Sequence, residues 1–309
     1  MDRIKKEEFF HVQEMALEYV CWPYQISWPI MWILARWVTG KRAILKFFNM
    51  GEPDTNTFWF DGLGKACRKI KEGAATWRAL EVIYNYKKSN ERFGFIDNFW
   101  VNMRNAQAVR NRFTLIQREL RGALLECARA KRSGEPVRIL SLASGSAQGV
   151  LDTVAKLTAE GYDISVLLID IDKEVESHVR RITQTLGLSE KVVFRSGNVL
   201  RFEQHLRSFR PDVVEMLGFL DYLENKTARW LMGRVKKILP SGGFFFTCHI
   251  HDNPERDFLF NVVNWGRDPF MLYRSPEEFD VLVWESGFTH RKLITEPHQI
   301  HSLICARVI

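Results

Sequence analysis

Apolar positions in the second half of the chain alternate between short dense runs and longer stretches at helical spacing. The run 137–142 ends in a cluster of small residues, Ala143-Ser144-Gly145-Ser146-Ala147. A run of that length, bounded by Gly and Ser, predicts a buried strand. Val150, Leu151, Val154 and Leu157 then recur at helical spacing, and a second run, 164–169, ends in Asp170. The alternation continues with a helix over 173–186 that stops at Gly187, strands over 191–195 and 213–217, a helix over 225–239 that stops at Pro240, and a strand over 244–250. Ser275-Pro276-Glu277-Glu278 is a capping box with proline at the first helical position, so a further helix opens there and closes at Gly287. Two last runs, 289–294 and 302–309, flank a loop containing Pro297 and predict an antiparallel edge. Strands alternating with helices predict an α/β sheet covered on both faces.

The first half reads differently. Leu80, Val82, Ile83 and Tyr86 predict a helix over 78–86, and Gly51-Glu52-Pro53-Asp54 is turn chemistry followed by Phe58, Trp59 and Phe60. Residues 97–131 predict one long helix, capped by Asp97 and stopped at Ser133-Gly134, with Val101, Ala108, Leu115, Ile116, Leu120, Leu124 and Cys127 facing the core. These patterns divide the chain into a helical, aromatic-rich N-terminal domain (1–96), a linking helix (97–134) and a nucleotide-binding domain (135–309). From Tyr19 to Ala35 there is no charge, and Trp22, Trp28, Trp32 and Trp37 crowd the stretch. It is short of the roughly 20 apolar residues of a spanning helix, and Pro23 and Pro29 interrupt it. A core element of a helical domain is the favoured reading. A cover over an apolar acceptor and a contact with a membrane surface are the competing ones.

Composition narrows the class. Among 309 residues, 46% are hydrophobic and 26% charged, which excludes wholesale disorder. Five scattered cysteines offer neither a disulfide framework nor metal-ligand spacing, and the polar, acidic N-terminus is unlike a signal peptide. Reduced thiols in a cytoplasmic protein are the expectation. The net charge of +7 is carried by the first 135 residues, but its signs alternate. With no Lys/Arg block and no RNA-binding module, no stable nucleic-acid complex is expected.

Strand, small-residue loop, helix, strand and acid form a nucleotide-binding βαβ unit. Asp170 follows Gly145 at close to the roughly 20-residue spacing at which a carboxylate meets ribose hydroxyls. The loop lacks the Gly-x-Gly-x-x-Gly spacing that a pyrophosphate requires, and Gln148 adds bulk where phosphate would approach. A looser loop suits S-adenosylmethionine. Its expected contacts are Ala143, Ser144, Gly145, Ser146, Gln148 and Gly149 in the loop, Asp170 and Ile171 after the second strand, Asn198 and Val199 after the third, and Gly218 and Phe219 after the fourth. A fixed positive charge from the set Asn105, Gln107, Arg110 and Arg112, with Arg110 as the candidate, suits the methionine carboxylate. For a base or acceptor-orienting group the candidates are His249, His251, Asp252 and Tyr273, with Arg274 beside them. An imidazole titrates near neutrality, whereas a carboxylate acceptor needs no base. No ligand spacing in this cluster is diagnostic of a metal.

Residues 137–309 resemble a class I S-adenosylmethionine-dependent methyltransferase. The motifs are Leu142-Ala143-Ser144-Gly145-Ser146-Ala147-Gln148-Gly149, Leu168-Ile169-Asp170, Gly197-Asn198 and Leu239-Pro240-Ser241-Gly242-Gly243. The resemblance implies a Rossmann-like seven-stranded sheet with antiparallel last strands, preceded by a mainly α-helical N-terminal domain. Ser146 stands where a glycine is common, and Asn198 where an aspartate is usual. More narrowly, the stretches 105–112, 218–223 and 251–254, and Trp265 followed by 272–278, resemble a bacterial methyltransferase family of poorly defined acceptor, some members of which are associated with fatty-acid methyl ester formation. The resemblance implies in-line methyl transfer to a small or lipid-like acceptor at an oxygen, carboxyl or nitrogen. An RNA-modifying methyltransferase using the basic N-terminal domain and a non-enzymatic cofactor-binding scaffold are the alternatives. A nicotinamide oxidoreductase is disfavoured by the loop spacing.

Overall fold

The computed structural model describes residues 17–19, 27–50, 64–86, 94–267 and 269–309. The polar N-terminus, Trp22, Pro23, the turn at Gly51 and the trio Phe58-Trp59-Phe60 lie outside the described residues.

Seven strands pair in the order β3-β2-β1-β4-β5-β7-β6. They are β1 (Val137–Leu142), β2 (Ile164–Asp170), β3 (Val192–Ser196), β4 (Val213–Met216), β5 (Phe244–Ile250), β6 (His290–Thr295) and β7 (His301–Arg307). The first five run parallel, and β7 enters antiparallel between β5 and β6. Side chains alternate across the sheet. Ile139, Val166, Val213 and Phe246 face one core, while Leu140, Leu167, Val214 and Phe245 face the other. Both faces are covered, which is why these strands read as dense apolar runs. Helices α5 (Arg104–Ala130), α6 (Gln148–Ala159) and α7 (Lys173–Thr185) cover the first face. Helices α8 (Asn225–Ile238) and α9 (Pro276–Glu285) cover the second, and α9 begins at the expected Ser275 capping box.

A third core joins α1 (Ser27–Phe47), α2 (Lys65–Glu72), α3 (Trp77–Asn85) and α4 (Phe95–Trp100) to the start of α5 and the segment 258–263. The single helix expected over 97–131 is thus two, and α5 is part of the sheet's own cover. Two buried carboxylates stand at the starts of these helices. Asp97 does not cap a helix; it is buried and accepts the backbone N–H of Cys67 at 3.1 Å. The cap of α5 comes from Glu255, which accepts the N–H groups of Arg104 (3.2 Å) and Asn105 (2.9 Å) and the Asn105 side-chain amide (2.9 Å). Orphan N–H groups at a helix start need such partners, and a cap contributes about 1 kcal/mol.

Another buried carboxylate lies beneath α5. Glu215 on β4 accepts the Ser141 hydroxyl at 2.5 Å and sits in the field of Arg112. Burial pushes its carboxyl up to about 7, although Ser141 and Arg112 pull the other way. The folded chain therefore retains a proton that the unfolded chain, with an ordinary glutamate near 4.5, has released. This site's contribution to stability falls as pH rises from about 4.5 to about 7. Glu215→Gln should gain about 3 kcal/mol on the wild type across that window, read from urea unfolding at a series of pH values. A wild-type-to-variant difference that does not change with pH would contradict this.

Candidate active site

The strand order reverses between β1 and β4, the switch point at which open α/β sheets bind ligands. A cavity of about 470 Å³ lies there, at the carboxyl ends of β1, β2 and β4. This is within the range of roughly 300–1,000 Å³ usual for small-molecule sites. One wall is the loop 143–149 with Asp170, Ile171, Gly218 and Phe219. The rest of the lining is largely apolar and aromatic, with Trp77, Leu80 and Tyr84 of α3, Val109 and Phe113 of α5, and Leu259, Trp265 and Met271 beyond β5.

The loop is held in a costly shape. Ala143 and Ala147 both have φ of 50°, in the left-handed region that costs a residue with a Cβ about 1–3 kcal/mol. Asp170 ties this loop to β2, accepting the N–H of Gly145 at 2.8 Å on one oxygen and that of Asp172 at 2.9 Å on the other. Asp172 caps α7 through Glu174 N (2.9 Å) and accepts the Trp77 indole N–H at 2.9 Å. Trp77 lies so close to the loop that a Cβ on Gly145 would stand 2.9 Å from the Trp77 Cβ. Only glycine fits there, for space as well as for its φ of 48°. Asn85 at the other end of α3 exchanges amide hydrogen bonds with Gln148, at 3.0 and 2.8 Å. Helix α3 is latched at both ends over the loop, and the N-cap of α6 beneath it is Ala147, which has no side-chain acceptor to cap with.

The lining also holds a buried polar set. Arg112 donates to the Tyr84 hydroxyl at 3.2 Å, and its other terminal nitrogen approaches the Cys248 sulfur at 3.7 Å. Burial works against its charge, but Tyr84, Cys248 and Asp221 more than offset that, and its pKa is raised. Its Nε makes no hydrogen bond among the described residues. His301, at the start of β7, is buried in the cavity wall. Neither of its ring nitrogens makes a well-formed hydrogen bond among the described residues, and the His249 backbone is a weak partner. Burial lowers its pKa well below the usual histidine value, and Arg112, His251 and His249 push it the same way. The ring is therefore neutral at pH 7. Asp221 and Glu215 complete the set. The Asp221 carboxyl is buried, yet the neighbouring His249 and Arg112 hold its pKa below the ordinary range.

The structure brings together Ala143, Ser144, Gly145, Ser146, Gln148, Gly149, Asp170, Ile171, Gly218 and Phe219, all in the cavity wall. It does not bring in Asn198 and Val199. Asn198 instead caps the 3₁₀ helix Val199–His205 through Leu200 N (2.9 Å), outside the wall. Nor does it bring in Arg110, which grips Glu18 at 2.8 and 2.7 Å and donates to the Val101 carbonyl at 2.7 Å. Two residues along α5 rotate a side chain by about 200°, and so Arg112 faces the cavity. Asn105 lines the cavity while tying down Asn253 and Glu255, and Gln107 donates to the Asn102 carbonyl.

The histidine cluster lies behind the wall. His249 is fully buried, with Nδ1 against the Asp221 carboxylate and Nε2 by Arg274 at 3.3 Å. His251 uses both ring nitrogens, on the Arg274 carbonyl and the Ser302 hydroxyl, each at 2.6 Å. Asp252 is exposed and pairs with Arg256 at 3.3 Å, and Tyr273 packs under the same arginine. None of the four lines the cavity. Arg274 binds the carbonyls of Leu220 and Leu223 and the Asn225 amide, fixing the turn that carries Asp221 and Tyr222. His301 was within reach of sequence reasoning. The antiparallel last strand brings its first residue beside Ile250, at the carboxyl end of β5.

No curated protein matches the chain. Among solved structures, a "possible exported protein" from Bordetella parapertussis superposes with a TM-score of 0.61 at 14% identity, over 79% of this chain and 86% of that one. The CMeT domain of the citrinin polyketide synthase gives a TM-score of 0.50 at 14% identity, over 74% of this chain and 65% of that one. The CurJ carbon methyltransferase gives 0.50 at 13%, over 69% and 64%. The chain spans just under two thirds of the last two structures, and at these identities the likeness shows the fold alone. Residues 66–308 match the family described as "Putative methyltransferase", and with this Rossmann-like sheet the chain belongs to that family of class I S-adenosylmethionine-dependent methyltransferases.

Proposed function

We propose that this enzyme methylates a small or lipid-like acceptor at an oxygen, carboxyl or nitrogen, using S-adenosylmethionine. The observation that carries this reading is one cavity with two unlike kinds of lining. One part is a glycine-bearing loop with an acid at the end of β2, and most of the rest is aromatic and aliphatic. The chain's residues fit the cofactor. Gly145 sits where a side chain would collide, and the Arg112 Nε is an orphan donor in the wall. Asp170 would meet the ribose, Ile171 and Phe219 the adenine, and Arg112 the methionine carboxylate. When bound, S-adenosylmethionine supplies an electrophilic methyl group on a sulfonium, open to in-line displacement.

The rest of the chemistry belongs to the chain. Alignment of a nucleophile is worth several kcal/mol when the acceptor is held in a near-attack pose. Tyr84, Phe113, Trp265 and Met271 shape the acceptor's side of the cavity and exclude water. A protic acceptor donates its hydrogen bond to the unprotonated ring nitrogen of neutral His301, which orients the lone pair and takes up the proton as transfer proceeds. A carboxylate acceptor releases no proton, and the same ring orients it through its N–H instead.

The test is transfer of label from methyl-tritiated S-adenosylmethionine to a panel of apolar acids, alcohols and amines, followed by organic extraction. Label is expected in one of these classes. With a protic acceptor, His301→Ala should lower kcat about 100-fold or more while leaving S-adenosylmethionine affinity unchanged. Label recovered in RNA, with none in any apolar acceptor, would overturn the reading.

A further inference from the structure

Helix α1 carries a surface that the cavity chemistry does not use. Its inner face is an ordinary one. Met31, Ala35 and Val38 are buried, and Met31 and Val38 share a core with Val262 and Val263. Arg42 anchors the helix to Asn261 (3.1 Å) and Asn264 (3.2 Å). The outer face inverts the usual pattern of a surface helix. Ile33 is 60% exposed, Trp37 53% and Phe47 82%, and Trp32, Ile44 and Phe48 are exposed beside them. At helical spacing Ile33, Trp37 and Ile44 lie on one side, opposite Met31, Ala35 and Val38. Single exposed apolar residues are ordinary, but a continuous stretch of them marks an interaction surface.

Charge decides what covers it. Helix α1 carries Arg36, Lys41, Arg42 and Lys46 and no Asp or Glu. Arg36 lies over the Trp32 ring at 5.5 Å, and Lys41 over Trp37 at 5.7 Å. A second copy of this chain would bring like charges together across the contact. An anionic surface attracts Arg36 and Lys41, which flank the apolar side. Tryptophan favours the boundary between headgroups and acyl chains, and lysine and arginine lay their stems along apolar surface while their charges reach outward. Among the described residues no helix is long and apolar enough to cross a membrane.

We propose that the outer face of α1 docks the enzyme on the surface of an anionic phospholipid bilayer. The helix lies in the interface with its apolar side down, in the manner of a monotopic anchor. The segment it grips is functional in its own right. Leu259–Val263 is a π-helical turn, and its first and last residues line the cavity. Docking thus holds one cavity wall a helix thickness, about 10 Å, from the bilayer.

The test is sedimentation of the full chain with vesicles of phosphatidylcholine alone or mixed equally with phosphatidylglycerol. The protein should pellet with the mixed vesicles and stay in solution with phosphatidylcholine, and salt should weaken the binding. Trp37→Ser combined with Ile44→Ser should lower the partition coefficient about tenfold or more. Circular dichroism and S-adenosylhomocysteine binding should be unchanged. If that variant does not fold, Lys41→Glu combined with Lys46→Glu asks the same question through charge. Failure of the wild type to sediment with the anionic vesicles would overturn the proposal, as would equal sedimentation of the folded variants. So would a dimer that these substitutions dissociate, with no vesicle binding.

Discussion

Asp170 holds the site together. One of its oxygens takes the N–H of Gly145 and the other that of Asp172, so a single carboxylate sets the loop after β1 against the end of β2. Asp172 then receives the indole of Trp77, and with it the first turn of α3. Three parts of the chain far apart in sequence meet within two residues of one acid. The left-handed alanines at 143 and 147 are tolerable because this network holds the loop in place. The same carboxylate lies in the cavity wall. The hydrogen bonds that shape the loop also orient the acid.

Helix α5 is the second organising element. One half of it packs into the sheet through Leu115, Leu120 and Leu124, while the other half supplies Val109, Arg112 and Phe113 to the cavity. An arginine cannot be buried in such a place without compensation. Asp221 provides the countercharge and Tyr84 a hydrogen bond. Arg112 therefore stays charged beside an apolar chamber, with its Nε turned to no protein partner among the described residues. A fixed cation and a neutral imidazole give one cavity two different polar groups.

The parts legible in the sequence were those whose causes are local. The strand boundaries followed from dense apolar runs, the loop and Asp170 from small residues and an acid in register, and α9 from its capping box. The parts that were not legible depend on partners far along the chain. Helix α5 starts at Arg104 because Glu255, 150 residues away, caps it. Nothing near Asp97 reveals that its carboxylate is taken by Cys67. The choice between Arg110 and Arg112 rests on helix phase and on Glu18, which claims the former. The cluster at His249, His251 and Asp252 has the right chemistry, but the β5 strand and the loop after it turn these residues away from the cavity. The histidine that does face the cavity enters from β7, one residue before the expected start of the last strand, where the antiparallel register sets it beside Ile250.

The central claim is that the loop under Trp77 and the acid at the end of β2 form the cofactor site. The most direct measurement is calorimetric titration of S-adenosylhomocysteine into the wild type and Asp170→Asn, a change that keeps the side chain's shape and removes its charge. The account predicts saturable binding to the wild type at one site per chain, weakened about tenfold or more in the variant. Absence of binding to the folded wild type, or equal affinity in the two proteins, would contradict it.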